Sequence, residues 1–302
     1  MKRALLLIKT ALPILFIIGL SVSAQAQKLN TVQAGSLAAP TKVKIDGKLD
    51  EWGPDFQAYN KTTKLFYILS NDAKNLYLVV RSTDLQNSTK IMGGGVTITI
   101  NTADKKKEEN AYSVRFPIVS RANLRGIRRP RGASATTVMD SASMAEAAAA
   151  RKQAIAAIKE ISVLGFKDIT DTLISIYNIY GIKAAAGYDE QANLQFELSI
   201  PLSLLNLSAD NPKEFAYNIT VNGLDFSRNN NGGNNRNAGG GGFGGGGNGG
   251  GGNGGGRNGG GGRFGGGGNG GNRGGFSGGG NDAMNELLSP TDFWGKYTLA
   301  KK

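Results

Sequence analysis

The sequence predicts a mainly β protein: an antiparallel β-sandwich with one inserted α-helix and a disordered Gly-rich loop. Three observations predict it. Short runs of β-branched and aromatic residues alternate with polar ones and are separated by Asn, Asp, Gly and Pro. One alanine-rich stretch interrupts that series with a helical composition. A long Gly/Asn tract then precedes a final strand-like segment, so the tract sits inside the domain rather than after it.

The elements follow in order. Met1-Lys2-Arg3 opens the chain, an apolar run continues to Leu20, and Ala24-Gln25-Ala26 is the small-x-small pattern of a cleavage site. Residues 1–26 are therefore expected to be a signal peptide cut before Gln27. The uninterrupted apolar part, Ala11 to Leu20, is shorter than the roughly 20 residues a membrane span needs. No later stretch reads as a span, and no Cys follows the leader to carry a lipid.

Strands are expected at Val43-Lys44-Ile45, Lys64–Leu69, Leu76–Arg81, Val96–Ile100 and Ala111–Phe116. Asn71-Asp72-Ala73-Lys74 reads as a turn, and Lys105-Lys106-Lys107 with Glu108-Glu109 as a solvated hairpin loop. A helix is expected over about 139–162, capped by Asp140 or Ser141. Strands resume at Leu173–Tyr180, Ile182–Tyr188, Leu194–Ile200 and Phe215–Val221, with a short helical turn at Pro201–Leu205. Residues 229–280 are expected to be disordered, because glycine loses the most backbone entropy on ordering and has no side chain to bury. Thr291–Leu299 reads as the last strand. One domain, 27–228 plus 281–302, results, since loop closure costs only about 0.6 kcal/mol per doubling of length.

Composition narrows the chemistry. The chain has no cysteine, so its core must hold without disulfides. It has no histidine, which removes Ser-His-Asp and Cys-His catalysis and every His-ligated metal. The formal charge is +12. The leader holds three of the basic residues, Lys2, Arg3 and Lys9, and no acid, leaving +9 after cleavage. That balance favours anionic partners such as polysaccharides, lipid headgroups or cell-wall polymers.

Several residues are candidates for a site. Arg121, Arg125, Arg128, Arg129 and Arg131 crowd one loop, and arginine's planar fork suits phosphate, sulfate or uronate; a solvated loop is the plainer reading. Asp46, Asp50, Glu51 and Asp55 lie close together, but their spacing is not that of a calcium loop and an Asp before Gly is a turn residue. Asp72 and Asp84 read as turn residues, and Asp168, Asp171 and Asp189 have no motif around them. A glycosidase needs two carboxylates across a sugar, and nothing marks a pair. The Gly/Asn tract contains a single Arg-Gly-Gly, so no nucleic-acid partner is expected and a spacer or adhesive loop is the reading.

One resemblance emerges. Val43-Lys44-Ile45-Asp46-Gly47-Lys48-Leu49-Asp50-Glu51-Trp52 resembles the opening motif of family-9 carbohydrate-binding-module-like domains, in the wider DOMON-like sandwich group. Asn71–Leu78 with Asp84 is similar to that family's second hairpin, Phe196–Pro201 to its "E..IP" strand, and Ser289 to Leu299 to its last strand. The Ala-Gln-Ala-Gln at the cleavage site resembles leaders of Bacteroidetes-type bacteria. The resemblance covers most of 40–228 plus 285–300, with the helical insert and the glycine tract as departures. It implies a β-sandwich that binds sugar, sometimes with calcium, although no calcium motif is visible here and no cofactor is called for.

Members of that family stack sugar between tryptophans. The two tryptophans here, Trp52 and Trp294, fall in motif positions that read as structural. Tyr59, Tyr67, Tyr112, Tyr177, Tyr180 and Tyr188 are the aromatic alternatives, with Tyr59 and Tyr112 taken with the arginine cluster as candidate ligand contacts. The expectation is an exported protein (periplasmic, outer-surface or secreted) that is not an enzyme and binds glycan or an envelope polymer. The alternatives are an adhesive or structural surface protein using the Gly-rich loop and arginine cluster, and a carboxylate-dependent glycoside hydrolase.

Overall fold

The computed structural model describes residues 29–119, 141–224 and 279–301. The leader, Arg121–Arg131 and the glycine tract through residue 278 lie outside the described residues, together with the expectations attached to them. Gly279 and Gly280, placed in the disordered insert by the sequence, instead open a helix.

Eleven strands and three α-helices make up the described chain. The strands are β1 Ala58–Asn60, β2 Leu65–Asn71, β3 Asn75–Ser82, β4 Val96–Asn101, β5 Tyr112–Phe116, β6 Glu160–Leu164, β7 Leu173–Ser175, β8 Lys183–Tyr188, β9 Leu194–Pro201, β10 Glu214–Val221 and β11 Thr291–Thr298. The helices are α1 Leu85–Gly94, α2 Ser141–Ala156 and α3 Gly279–Leu288. One sheet runs β1-β2-β3-β9-β8 and the other β11-β10-β4-β5-β6-β7, with every pairing antiparallel.

The two sheets pack face to face as a β-sandwich, because period-2 alternation places one set of side chains inward. Leu65, Tyr67 and Leu69 of β2, Leu76, Leu78 and Val80 of β3, and Phe196, Leu198 and Ile200 of β9 line one inner face. Ile98 and Ile100 of β4, Val114 and Phe116 of β5, and Tyr217 and Ile219 of β10 line the other. At the centre the Tyr67 and Tyr217 hydroxyls meet at 3.0 Å, and Phe293 of β11 packs on both rings. The β2–β3 hairpin turns on Asp72, whose carboxylate accepts from the amides of Lys74 and Asn75 and from the Tyr77 hydroxyl. The last strand is integral: β11 pairs with β10 along its full length, Thr291 opposite Val221 to Thr298 opposite Glu214.

Four sequence expectations are corrected. The helix expected over 139–162 ends at Ala156, and Glu160–Leu164 is instead strand β6, paired with β5 and burying Ile161 and Val163. Val43-Lys44-Ile45 joins no sheet, although Val43 and Ile45 are half-buried against one. The run Leu173–Tyr180 stops being a strand at Ser175. There the Asn178 side chain bonds the carbonyls of Ser175 and Ile182 and closes a turn that leaves Tyr177 and Ile179 in solvent. Helix α1 was not expected, since Asn, Ser, Thr and Gly are weak helix formers. Asp84 caps it by accepting from the Asn87 amide, and burial of Ile91 and Met92 holds it.

Gly295 of β11, paired with Tyr217 of β10, leaves room for the tyrosine ring at the centre of the core. A Cβ there would lie 2.7 Å from Cε1 of the buried Tyr217 ring. Gly295→Ala is expected to lower stability by about 1–3 kcal/mol. Thermal and urea unfolding check this, and an unchanged midpoint contradicts it.

Candidate functional site

The outer face of the five-stranded sheet is apolar. Phe66 and Ile68 of β2 and Tyr77 and Val79 of β3 point away from the sandwich interior. Left bare, they would form a hydrophobic patch of the kind soluble surfaces avoid. The chain from Leu29 to Gln57 crosses this face and covers it. Leu37, Val43, Ile45, Leu49, Trp52 and Phe56 close a second, smaller core.

The cover is fixed by one carboxylate. Glu197 of β9 projects from the same outer face and is fully buried. Its Oε2 accepts from the backbone N–H of Asp46 (3.1 Å) and of Gly47 (3.0 Å), and its Oε1 accepts from the Trp52 indole N–H (2.8 Å). The Asp46 carboxylate accepts from the Lys48 amide at 2.9 Å, which shapes the turn. Gly47 has φ +84°, and a Cβ there would lie 2.5 Å from the Ala186 carbonyl oxygen of β8, so glycine is required twice over. The Asp46-Gly47 and Trp52 motif and the glutamate of Phe196-Glu197-Leu198 are therefore two halves of one clasp. Burial pushes the Glu197 pKa up to about 7, against the three donors, which pull it down.

At one end the cover leaves a cleft of about 850 Å³. Arg81 and Phe66 come from the sheet, Phe56 and Gln57 from the end of the cover, and Asn30 and Asp55 stand exposed at its margin. The Arg81 guanidinium carbon lies 4.5 Å from the centre of the Phe56 ring and 5.3 Å from that of Phe66. Its Nε is buried without a hydrogen-bond partner. Among the described residues no carboxylate pairs with it. A half-buried cation lying beside two adjoining rings, with no carboxylate paired to it among the described residues, is a ready donor to an oxygen-rich ligand.

The expected site residues fall in different places. Tyr59, on β1, is half-buried and stacks on Phe66 with ring centres 4.5 Å apart, which puts it beside the cleft. Tyr112 points into the sandwich, packs on Phe166 and accepts from the Asn206 amide at 2.8 Å, so it is a core residue. Tyr67 is likewise in the core, Tyr188 lies under Arg151, and Tyr177 is in the exposed turn after β7. Trp52 belongs to the cover of one sheet. Trp294 stands half-exposed on the outer face of the other, opposite Asn218. The two tryptophans therefore cannot sandwich one ligand. Asp46 is a turn residue, Asp50 and Glu51 open a short 3-10 turn, and Asp55 alone of that group borders the cleft. Asp84 is a helix cap.

Sequence reasoning missed Arg81, Phe56, Gln57 and Asn30. The visible signal was small: Arg81 is the one charged residue at an outward position of an otherwise apolar strand. Among the described residues no group of acidic side chains is arranged to hold a metal ion, and no helix is long and apolar enough to cross a membrane.

The clasp makes a pH prediction. The folded pKa of Glu197, about 7, lies above the ordinary value of 4.5. Below 4.5 both folded and unfolded chains carry the proton and the contribution is fully present. As pH rises towards 7 the unfolded chain loses the proton first, and stability declines. Glu197→Gln turns an amide N–H₂ towards a backbone donor and is expected to cost about 1–3 kcal/mol. The advantage of the native chain over this variant should be greatest at acid pH and shrink up to pH about 7. Urea unfolding of both across that range measures it, and a pH-independent difference contradicts the assignment.

No family model matches the chain, and no curated protein matches it. Among solved structures it is similar to a carbohydrate binding module of family 9 from Caldicellulosiruptor kristjanssonii, solved in complex with cellotriose. The two are 13% identical with a TM-score of 0.31, over 64% of this chain and 78% of that one. A likeness at that level carries no argument about what this chain binds.

Proposed function

We propose that the chain is an exported, non-catalytic β-sandwich that binds carbohydrate, as a free glycan or an envelope polymer, in the Arg81 cleft. One observation carries the reading: Arg81, with no carboxylate paired to it among the described residues, lies beside Phe56 and Phe66 and lines a cleft bordered by Asn30, Asp55 and Gln57. Sugars combine apolar C–H faces with closely spaced hydroxyls. A cleft of aromatic rings with a few convergent polar groups suits them, and its volume falls in the usual range for small-ligand sites. The signal-peptide pattern of residues 1–26 and the charge of +9 that remains after its removal support action on a polymer outside the cytoplasm.

The lining supports binding without cleavage: among the described residues Asp55 is the one carboxylate bordering the cleft, whereas glycoside hydrolysis uses two placed about 5–10 Å apart. The adhesive reading rests on the arginine cluster and the glycine tract, and it makes a different prediction.

Asn30 and Gln57 are both exposed, so their replacement leaves the core intact. Asn30→Ala with Gln57→Ala is expected to weaken saturable binding on a glycan array by about tenfold, while deletion of residues 229–278 leaves it unchanged. Loss of binding on deletion alone, with the double variant binding like the native chain, contradicts the cleft and favours the adhesive loop.

A further inference from the structure

The cleft's electrostatics point beyond sugar binding in general. Arg81 lies on the outer face of β3, opposite Phe66 of β2 and Gln195 of β9. Neither neighbour carries a charge. By contrast Lys64 and Lys296 each meet two carboxylates: Lys64 meets Asp84 and Glu286, and Lys296 meets Asp104 and Glu214. Arg81 is more enclosed than a surface arginine and lines the cleft, yet among the described residues it has two aromatic rings beside it and no carboxylate paired with it. A guanidinium in that state lacks an anion. Contact with the two rings restricts the side chain, which lowers the rotamer entropy lost on binding. Asp55 borders the same cleft but forms no ion pair with it.

Resting on the cleft as the sugar site, we propose that its ligand is an acidic sugar, a uronate whose carboxylate is held by the Arg81 guanidinium. Neutral sugars satisfy single N–H donors through hydroxyls, but a carboxylate satisfies two at once and supplies the missing counter-charge. The pyranose ring of the same unit then lies against the half-buried Phe66, while its hydroxyls meet Asn30 and Gln57. The Asp55 carboxylate sets the other side of the preference. It repels a second acidic group at the cleft margin, so the favoured ligand carries its charge at the Arg81 end.

The test uses the full chain and an array of oligosaccharides containing galacturonate, glucuronate, mannuronate or guluronate, each printed beside its carboxyl-reduced counterpart. At least one acidic oligosaccharide is expected to bind about tenfold or more tighter than its reduced form. Arg81→Gln is expected to erase that difference, with the variant's unfolding midpoint showing that it is folded. Asp55→Asn, on an exposed residue that does not touch the core, is expected to tighten acidic ligands about two- to fivefold and leave reduced ones unchanged. Equal binding of acidic and reduced forms, both weakened by Asn30→Ala with Gln57→Ala, overturns the acidic preference and leaves the sugar site standing. Binding that ignores Arg81, Asp55 and the double variant alike overturns both.

Discussion

A buried carboxylate that accepts three hydrogen bonds from a segment about 150 residues away in sequence is the constraint on which the rest of this structure depends. Glu197 sits in the middle strand pair of one sheet, and everything it binds lies in the chain that precedes that sheet. Without the clasp, Ile68, Tyr77 and Val79 would face water. With it, Trp52 and Phe56 are set down on them, and the same placement brings Phe56 to within reach of Arg81. The site is thus a by-product of how the cover is fastened.

A charged residue is an expensive fastener. Removing a carboxylate from water costs several kcal/mol, which only a full set of partners recovers, and an apolar contact would often stabilise as well. What the carboxylate adds is register. An apolar cover can slide on an apolar sheet, but two adjacent backbone N–H groups and an indole N–H meet one carboxylate in a single arrangement. The close approach of Gly47 and Gly187 reinforces this, since the backbones of the cover and of β8 come too near for a Cβ on either. In this chain the short motif around Asp46-Gly47 and Trp52 and the glutamate of the later strand are parts of one interaction.

Much of the sandwich was legible because alternation is a strong signal. Strands β2 to β5 and β9 to β11 coincide closely with runs rich in β-branched and aromatic residues, β8 matches a weaker, alanine-rich run, and the Asp72 turn reads directly from Asn-Asp-Ala-Lys. The errors have physical causes. Ile155, Ile158 and Ile161 recur at helical spacing, so the sequence runs the helix into β6; pairing with β5 overrides it. Helix α1 is made of weak formers and exists through its Asp84 cap and the burial of Ile91 and Met92, which are tertiary facts. Tyr112 alternates like a surface-capable residue, yet the phase of β5 turns it inward. The cleft was not legible. Arg81 ends an apolar strand and looks like ordinary solvent-facing punctuation. Its meaning depends on Phe56, which arrives only because Glu197 holds the cover in place.

The central claim is that the cover and the five-stranded sheet form one cooperative unit, joined at Glu197. Native-state hydrogen exchange tests it directly through the backbone amides of Asp46 and Gly47. If the clasp holds, these amides exchange only when the whole domain opens, with the same protection as the amides of β3 and β9. Exchange at markedly lower free energy, while β3 and β9 stay protected, would mean that the cover lifts independently and that the cleft is not a fixed feature of the fold.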